Sequence, residues 1–302
     1  MKIVAEHQQI ATNGIRLHVV AAGPADGPLV ILLHGFPAFW YSWYQQIPVL
    51  AAAGYRVLVP DQRGYNLSDK PRGLAAYRGN TLADDIVGLI TAAGRDQACI
   101  VGHDWGAGVA WGLALTHPAR VARLVILNGP HPAVMQHQLR TNPAQLRKSW
   151  YIFAFQLPWL PEWAIRRDHW ALGVRGLRDT SRPGTFSDQD LARYRRAWSR
   201  PGAMTAMIHW YRAVVQRPPA LPADQHVAMP TLIIWGAQDP FLGREIATDS
   251  LAWCADGRLE LIEDATHWVQ NEEPARVSRL ILDFLAADRA AASVPPRQQP
   301  AR

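Results

Sequence analysis

The sequence predicts the α/β fold class, with a mostly parallel sheet flanked by helices and interrupted by one helical insertion. Three observations carry that prediction. Leu29-Val30-Ile31-Leu32-Leu33, Arg56-Val57-Leu58-Val59-Pro60 and Leu124-Val125-Ile126-Leu127 are apolar runs with almost no polar alternation, as in strands buried on both faces. Segments with helical spacing lie between them, so strand and helix alternate up to about residue 127. From His131 the alternation gives way to a helical pattern, and it resumes at Thr231-Leu232-Ile233-Ile234-Trp235-Gly236. With 302 residues, 49% of them hydrophobic, the chain can bury one large core and still carry an insertion.

Taken in order, Gln8-Gln9-Ile10-Ala11-Thr12 and Ile15-Arg16-Leu17-His18-Val19-Val20 read as two strands joined at Asn13-Gly14, a tight hairpin signal. After a Gly/Pro loop comes the strand at 29–33, ending in His34-Gly35-Phe36-Pro37. Helical spacing over 43–53 closes at Gly54, a C-cap candidate. The strand at 56–60 leads into the loop Asp61-Gln62-Arg63-Gly64-Tyr65-Asn66-Leu67-Ser68. Thr81-Leu82-Ala83-Asp84 has the form of a capping box, and Leu82, Ile86, Leu89 and Ile90 would line one face of the helix it opens. The apolar run ending at Val101 is the next strand, with a helix from Val109 and a break at His117-Pro118. After the strands at 124–127, 231–236 and 259–262, a closing helix spans 275–287, its apolar side formed by Val277, Leu280, Ile281, Phe284 and Leu285. These make eight strands. The core is expected over 1–130 and 216–290 and a helical cap over 131–215. Positions 291–302 are expected to be disordered, since three prolines and no core pattern occupy the end.

The insertion holds six of the 13 tryptophans, with Pro or Gly breaks at 158, 161, 173, 176, 183, 184, 201 and 202. It also holds the charge asymmetry. Thirteen Lys and Arg stand there against five Asp and Glu, so it carries +8 of a net +6 and the remainder carries −2. Arg193, Arg195 and Arg196 have the spacing of a solvated helix face, and no nucleic-acid module is recognisable, so no nucleic-acid partner is expected. No apolar run approaches the ~20 residues of a span, so no membrane partner is expected. The polar start lacks a signal-peptide core, and Cys99 and Cys254 imply no disulfide framework, which together point to the cytoplasm.

The chemistry centres on Gly102-His103-Asp104-Trp105-Gly106. Glycines two positions either side of Asp104, between a strand and a helix, have the spacing of a nucleophile elbow. Such a turn puts its central side chain over a helix N-terminus, which favours an anion. Ser is the usual occupant. A carboxylate there suits displacement at a saturated carbon and leaves an alkyl ester that water must hydrolyse. Gly-x-Asp-x-Gly can also be a loop around a solvated Asp, so the tie is broken elsewhere. In open α/β sheets ligands bind past the strand carboxyl ends. Asp239 follows the strand at 231–236 and His267 follows the strand at 259–262, in the order nucleophile, acid, His. His267 would be the base and Asp239 would fix its tautomer. Asp249 and Asp264 are competing acids, neither directly past the seventh strand.

His34-Gly35-Phe36-Pro37 with Phe39-Trp40-Tyr41-Ser42-Trp43, the 61–68 loop and the elbow together resemble the soluble epoxide hydrolases of the α/β-hydrolase superfamily, over about 10–285. The resemblance implies an α/β-hydrolase fold with an inserted lid and conversion of an epoxide to a vicinal diol without metal or organic cofactor. It implies an oxyanion hole from the backbone N–H groups of Phe36 and Trp105, with the Phe36–Pro37 bond cis. It also implies a pair of lid tyrosines, matched by Tyr151 in Tyr151-Ile152-Phe153-Ala154-Phe155-Gln156 and Tyr211 in His209-Trp210-Tyr211-Arg212. Two phenols can hydrogen-bond and then protonate the alkoxide of an opening epoxide.

Two positions depart from the family pattern: Ala38, where several members carry Glu, and His209, where Asn is common. Trp150, Phe153, Phe155 and Trp159 suggest an apolar substrate. A haloalkane dehalogenase would share Asp104, Trp105 and the His base, but Phe36 offers no side-chain donor for a halide. A non-catalytic ligand receptor on the same scaffold is the alternative from another class.

Overall fold

The computed structural model describes residues 5–292. The hairpin forms as expected: β1 (Glu6–Thr12) and β2 (Ile15–Ala22) pair antiparallel, and Asn13 and Gly14 take φ of +44° and +74°. The remaining strands are β3 (Leu29–Leu33), β4 (Arg56–Pro60), β5 (Ala98–His103), β6 (Val121–Leu127), β7 (Thr231–Gly236) and β8 (Gly257–Ile262). They form one eight-stranded sheet in the order β1-β2-β4-β3-β5-β6-β7-β8, antiparallel at β1/β2 and β2/β4 and parallel elsewhere.

Both faces of the sheet's centre are covered, which is why β3, β4 and β7 read as apolar runs. Along β3, Ile31 and Leu33 join one core while Val30 and Leu32 join the other, following the two-residue period of a strand. The first core receives α2 (Gly79–Ala92) through Leu82, Ile86 and Leu89, and α3 (Trp105–Thr116) through Val109, Ala110 and Leu113. The second receives α1 (Gln46–Ala52) through Ile47 and Leu50, and the last helix, Pro274–Ala292, through Val277 and Ile281.

Local boundaries differ from expectation for identifiable reasons. Helical spacing over 43–53 resolves into a short 3-10 turn at Trp40–Trp43 and then α1, because Pro48 fits only within a first turn. No capping box forms at Thr81: α2 starts two residues earlier from an extended Arg78, leaving Thr81 inside the helix. The helix expected from Val109 begins at Trp105, directly off the elbow. The closing helix reaches Ala292, so the tail expected from 291 is helical at its first two positions, and the rest lies outside the described residues.

Between β6 and β7 lie α4 (Pro132–Thr141), α5 (Pro143–Lys148), α6 (Trp150–Ala154), α7 (Leu160–Asp179), α8 (Asp188–Trp198) and α9 (Ala203–Gln216). Gly173 and Gly176 do not break α7; a Cβ on Gly173 would crowd the Trp198 ring. The interruption falls instead at Arg167–Trp170, where Asp168, His169 and Trp170 have positive φ. A capping box does form at α8, between Ser187 and Asp190. α10 (Glu245–Leu251) and α11 (Val269–Glu272) precede the last helix, α12.

Candidate active site

Asp104 joins β5 to α3 with φ +52° and ψ −119°, a conformation that side-chain-bearing residues rarely adopt. The flanking glycines permit it. A Cβ on Gly106 would overlap the Leu33 carbonyl oxygen, and one on Gly102 would overlap the carbonyl of Gly106. Gly35 is required for the same reason, since a Cβ there would run into the Asp104 carboxylate. The carboxylate lies at the head of α3 with 18% of its side chain accessible.

Two backbone N–H groups meet it. Phe36 donates to Asp104 Oδ1 at 2.7 Å, and Trp105 donates as well. The Phe36–Pro37 bond is cis. Burial raises the Asp104 carboxyl above its ordinary range, against the opposing pull of His267 and of the two N–H groups.

His267 follows β8 and is almost wholly buried. Its Nε2 stands 3.7 Å from Asp104 Oδ2, outside hydrogen-bond length, and its Nδ1 is 2.7 Å from Asp239 Oδ2. Asp239 is tied down on every side. Its Oδ1 accepts from the N–H groups of Phe241 and Leu242, and its Oδ2 accepts from Asn128 Nδ2 at 2.8 Å. Burial pushes the His267 imidazole down, but Asp239, the bond to it, Asp104 and Glu272 together raise it above its ordinary range. The competing acids lie elsewhere: Asp249, on α10, accepts from Gln138, and Asp264 pairs with Arg182.

Tyr151 on α6 and Tyr211 on α9 close over this group, their ring centroids 5.9 Å apart. The Tyr211 ring meets Phe36 at 5.2 Å and Trp105 at 4.9 Å, both edge-on, and Tyr151 meets Phe241 at 5.8 Å. Burial first, and the Asp104 carboxylate next, raise both phenols, so each stays a hydrogen-bond donor at neutral pH. Tyr211 is held by its neighbours. Trp210 Nε1 donates to the Arg63 carbonyl, while Arg212 pairs with buried Glu162 and donates to the carbonyls of Phe155 and Leu157.

Of the aromatic residues expected around the substrate, Phe155 alone faces this shell, against Phe36 and Tyr211. Trp150 and Phe153 point outward and are exposed, because α6 is too short and too superficial to bury two sides, and Trp159, at the head of α7, is exposed as well. Ala38 is buried, and His209 packs on Tyr77.

Several residues that shape the site were not singled out from the sequence. Asn128 lies directly past β6, where a polar residue after an apolar run is itself the signal, and it bridges Asp239 to Gly236. The Glu272 side chain, inaccessible to solvent, accepts from the N–H and hydroxyl of Thr266, next to His267, and from the N–H of Arg182. Arg182 also grips the Glu272 carbonyl and Glu273, and Trp268 Nε1 donates to Thr180. The segment between α7 and α8 therefore clasps the His267 loop on both sides. The His103 ring lies tilted against His267, centroids 4.8 Å apart, and bonds its carbonyl. In the 61–68 loop, buried Asp61 accepts from His18, the Trp40 N–H and Asn66, and Gln62 bonds His34, so this loop fixes the 34–37 turn. Burial lowers His34 to about 4, which keeps it neutral.

A family model described as the alpha/beta hydrolase fold matches residues 28–274. The AB hydrolase superfamily protein YfhM of Bacillus subtilis is 47% identical, over 92% of this chain and 97% of that protein. Human epoxide hydrolase 4 is 36% identical, over 92% of this chain and 77% of that protein. A crystal structure of the Bacillus megaterium epoxide hydrolase with an inhibitor superposes with a TM-score of 0.83 at 32% identity, covering 92% of this chain and 99% of that one.

Proposed function

The chain belongs to the epoxide hydrolase family of the α/β-hydrolase superfamily, and on that premise we propose that it opens an apolar epoxide to a vicinal diol through an ester on Asp104. The observation that carries this reading is a carboxylate at the elbow, with Oδ1 on the Phe36 N–H, a further N–H from Trp105, and the Tyr151 and Tyr211 phenols above it. The helices over 131–215 act as the cap that brings those phenols in.

In the first step Asp104 Oδ2 attacks a ring carbon and the carbon–oxygen bond breaks. The developing alkoxide takes a proton from Tyr151 or Tyr211. In the second step His267 Nε2 removes a proton from water, and the hydroxide attacks the Asp104 ester carbonyl. The tetrahedral oxyanion forms at Oδ1, where the Phe36 and Trp105 N–H groups stabilise it. Collapse releases the diol, and the proton held by His267 returns to the tyrosinate. Asp239 keeps Nδ1 protonated so that Nε2 is the basic nitrogen. Substrate and water balance the reaction. The aromatic shell of Phe36, Trp105, Phe155 and Phe241 favours an apolar substituent on the epoxide.

Replacing His267 with Gln tests the two steps. The first step survives, so the ester accumulates and intact-protein mass spectrometry shows one added substrate mass. Absence of an adduct with an epoxide that the wild type turns over contradicts the covalent route through Asp104 and His267.

A further inference from the structure

Helix α6 is apolar on two sides. Tyr151 and Phe155 face the aromatic shell, whereas Trp150 and Phe153 point away and are 67% and 51% exposed. The chain carries this outer face onward through exposed Leu157 and Leu160 to Trp159, 71% exposed, and Trp163, 53% exposed. None of these six belongs to either core, so folding does not account for them. Beside them lies a cavity of about 810 Å³ lined by Trp159, Trp163, Arg166 and Arg167, over the buried Glu162–Arg212 pair.

Charge identifies the occupant. Between residues 140 and 179 all seven Lys and Arg are exposed, against two exposed carboxylates, Asp168 and Asp179; two of the seven have partners elsewhere, Lys148 at the Asp239 carbonyl and Arg178 at Asp188, which leaves an excess of cations. The Arg167 guanidinium lies over the Trp163 ring at 5.2 Å and 3.6 Å from Asp168. Trp, Phe and Leu side chains interleaved with Arg and Lys match the headgroup layer of an anionic bilayer, where indoles settle and each cation is attracted. A second copy packed face to face would set these cations against each other. A nucleic acid gains nothing from Leu157, Leu160 and Leu172, which cannot stack on bases.

We propose that this outer face of the cap docks the protein reversibly on an anionic phospholipid bilayer. Such contact requires no span; among the described residues no helix is long and apolar enough to cross a membrane, and the expectation of no membrane partner rested on that absence. Because α6 presents Tyr151 to the site and Trp150 to the outside, docking would hold the roof of the site against lipid, where apolar epoxides partition. That consequence rests on the proposed substrate; the docking itself does not.

The test uses the full chain with vesicles of phosphatidylcholine containing about 30% phosphatidylglycerol, against phosphatidylcholine alone. The protein sediments with the anionic vesicles at low salt, its tryptophan emission shifts to the blue, and added salt releases it. Arg166→Gln with Arg167→Gln weakens partitioning by about thirty-fold. Trp159→Ala with Trp163→Ala diminishes the blue shift, leaving the part that Trp150 contributes. Both double variants keep wild-type turnover of a water-soluble epoxide, which separates this test from that of the reaction. Failure to bind anionic vesicles overturns the proposal, as does binding indifferent to phosphatidylglycerol or to these substitutions. A wild-type dimer made monomeric by the same substitutions, with no vesicle binding, assigns the face to a second copy instead.

Discussion

At the scale of residues, the two oxygens of Asp104 have different neighbours and so different proposed tasks. Oδ1 sits on the Phe36 N–H, whereas Oδ2 faces His267 without bonding to it. Alkylation moves the negative charge from Asp104, 3.7 Å from His267 Nε2 and one of the charges that raise it in the free protein beside Asp239 and Glu272, to a tyrosinate that has no bond to the imidazole. Buried His103, kept neutral, cannot replace that charge. A protonated His267 cannot accept a proton from water, so ester hydrolysis is present above its pKa and lost as pH falls through it. Hydrolysis of the ester, followed in a single turnover, is therefore expected to lose half its rate at a lower pH than the His267 midpoint in the free protein, read by NMR titration. An equal or higher midpoint contradicts the coupling. The phenols make a second prediction. Tyr151→Phe or Tyr211→Phe each removes a donor worth about 2–4 kcal/mol to the developing alkoxide, slowing alkylation tens- to hundreds-fold. The double variant should be nearly inactive, and wild-type turnover by it would remove the phenols from the reaction.

At the scale of elements, the site depends on segments far apart in the chain. Strand ends deliver Asp104, Asp239 and His267, and these were legible because each follows an apolar run. The clasp was not legible: Arg182 and Glu272 are 90 residues apart, and each alone reads as an ordinary surface charge. Asn128 was missed although it meets the same criterion as Asp239, its partner 111 residues on. The clasp gives Arg182 a positioning role. Arg182→Gln frees the flanks of His267 and should slow ester hydrolysis roughly ten- to hundred-fold while alkylation and KM change little. Arg182→Lys should restore only part, since a single ammonium cannot hold Asp264, which meets one guanidinium nitrogen, together with the Glu272 carbonyl and Glu273, which meet the other. Equal loss in both steps would indicate general destabilisation of the helices over 131–215 instead.

At the scale of the whole molecule, the sheet was readable because burial on both faces leaves unbroken apolar runs, and the hairpin because Asn13-Gly14 suits positive φ. Helix starts were less readable. Pro48, Arg78 and the elbow itself set them through backbone geometry that side-chain periodicity does not report. The outward Trp150 and Trp159 show the same limit: aromatic composition marks the insertion without saying which of its rings turn toward Asp104. The central claim, that Asp104 is the nucleophile, cannot be tested by steady-state rates, because direct attack of water activated by His267 gives the same diol. Oxygen origin separates the two. With enzyme in excess and heavy-oxygen water, one turnover should give mostly unlabelled diol and a labelled peptide containing Asp104, since the diol takes its new oxygen from the carboxylate. A first-turnover diol carrying the full label, with no label in Asp104, would contradict the account.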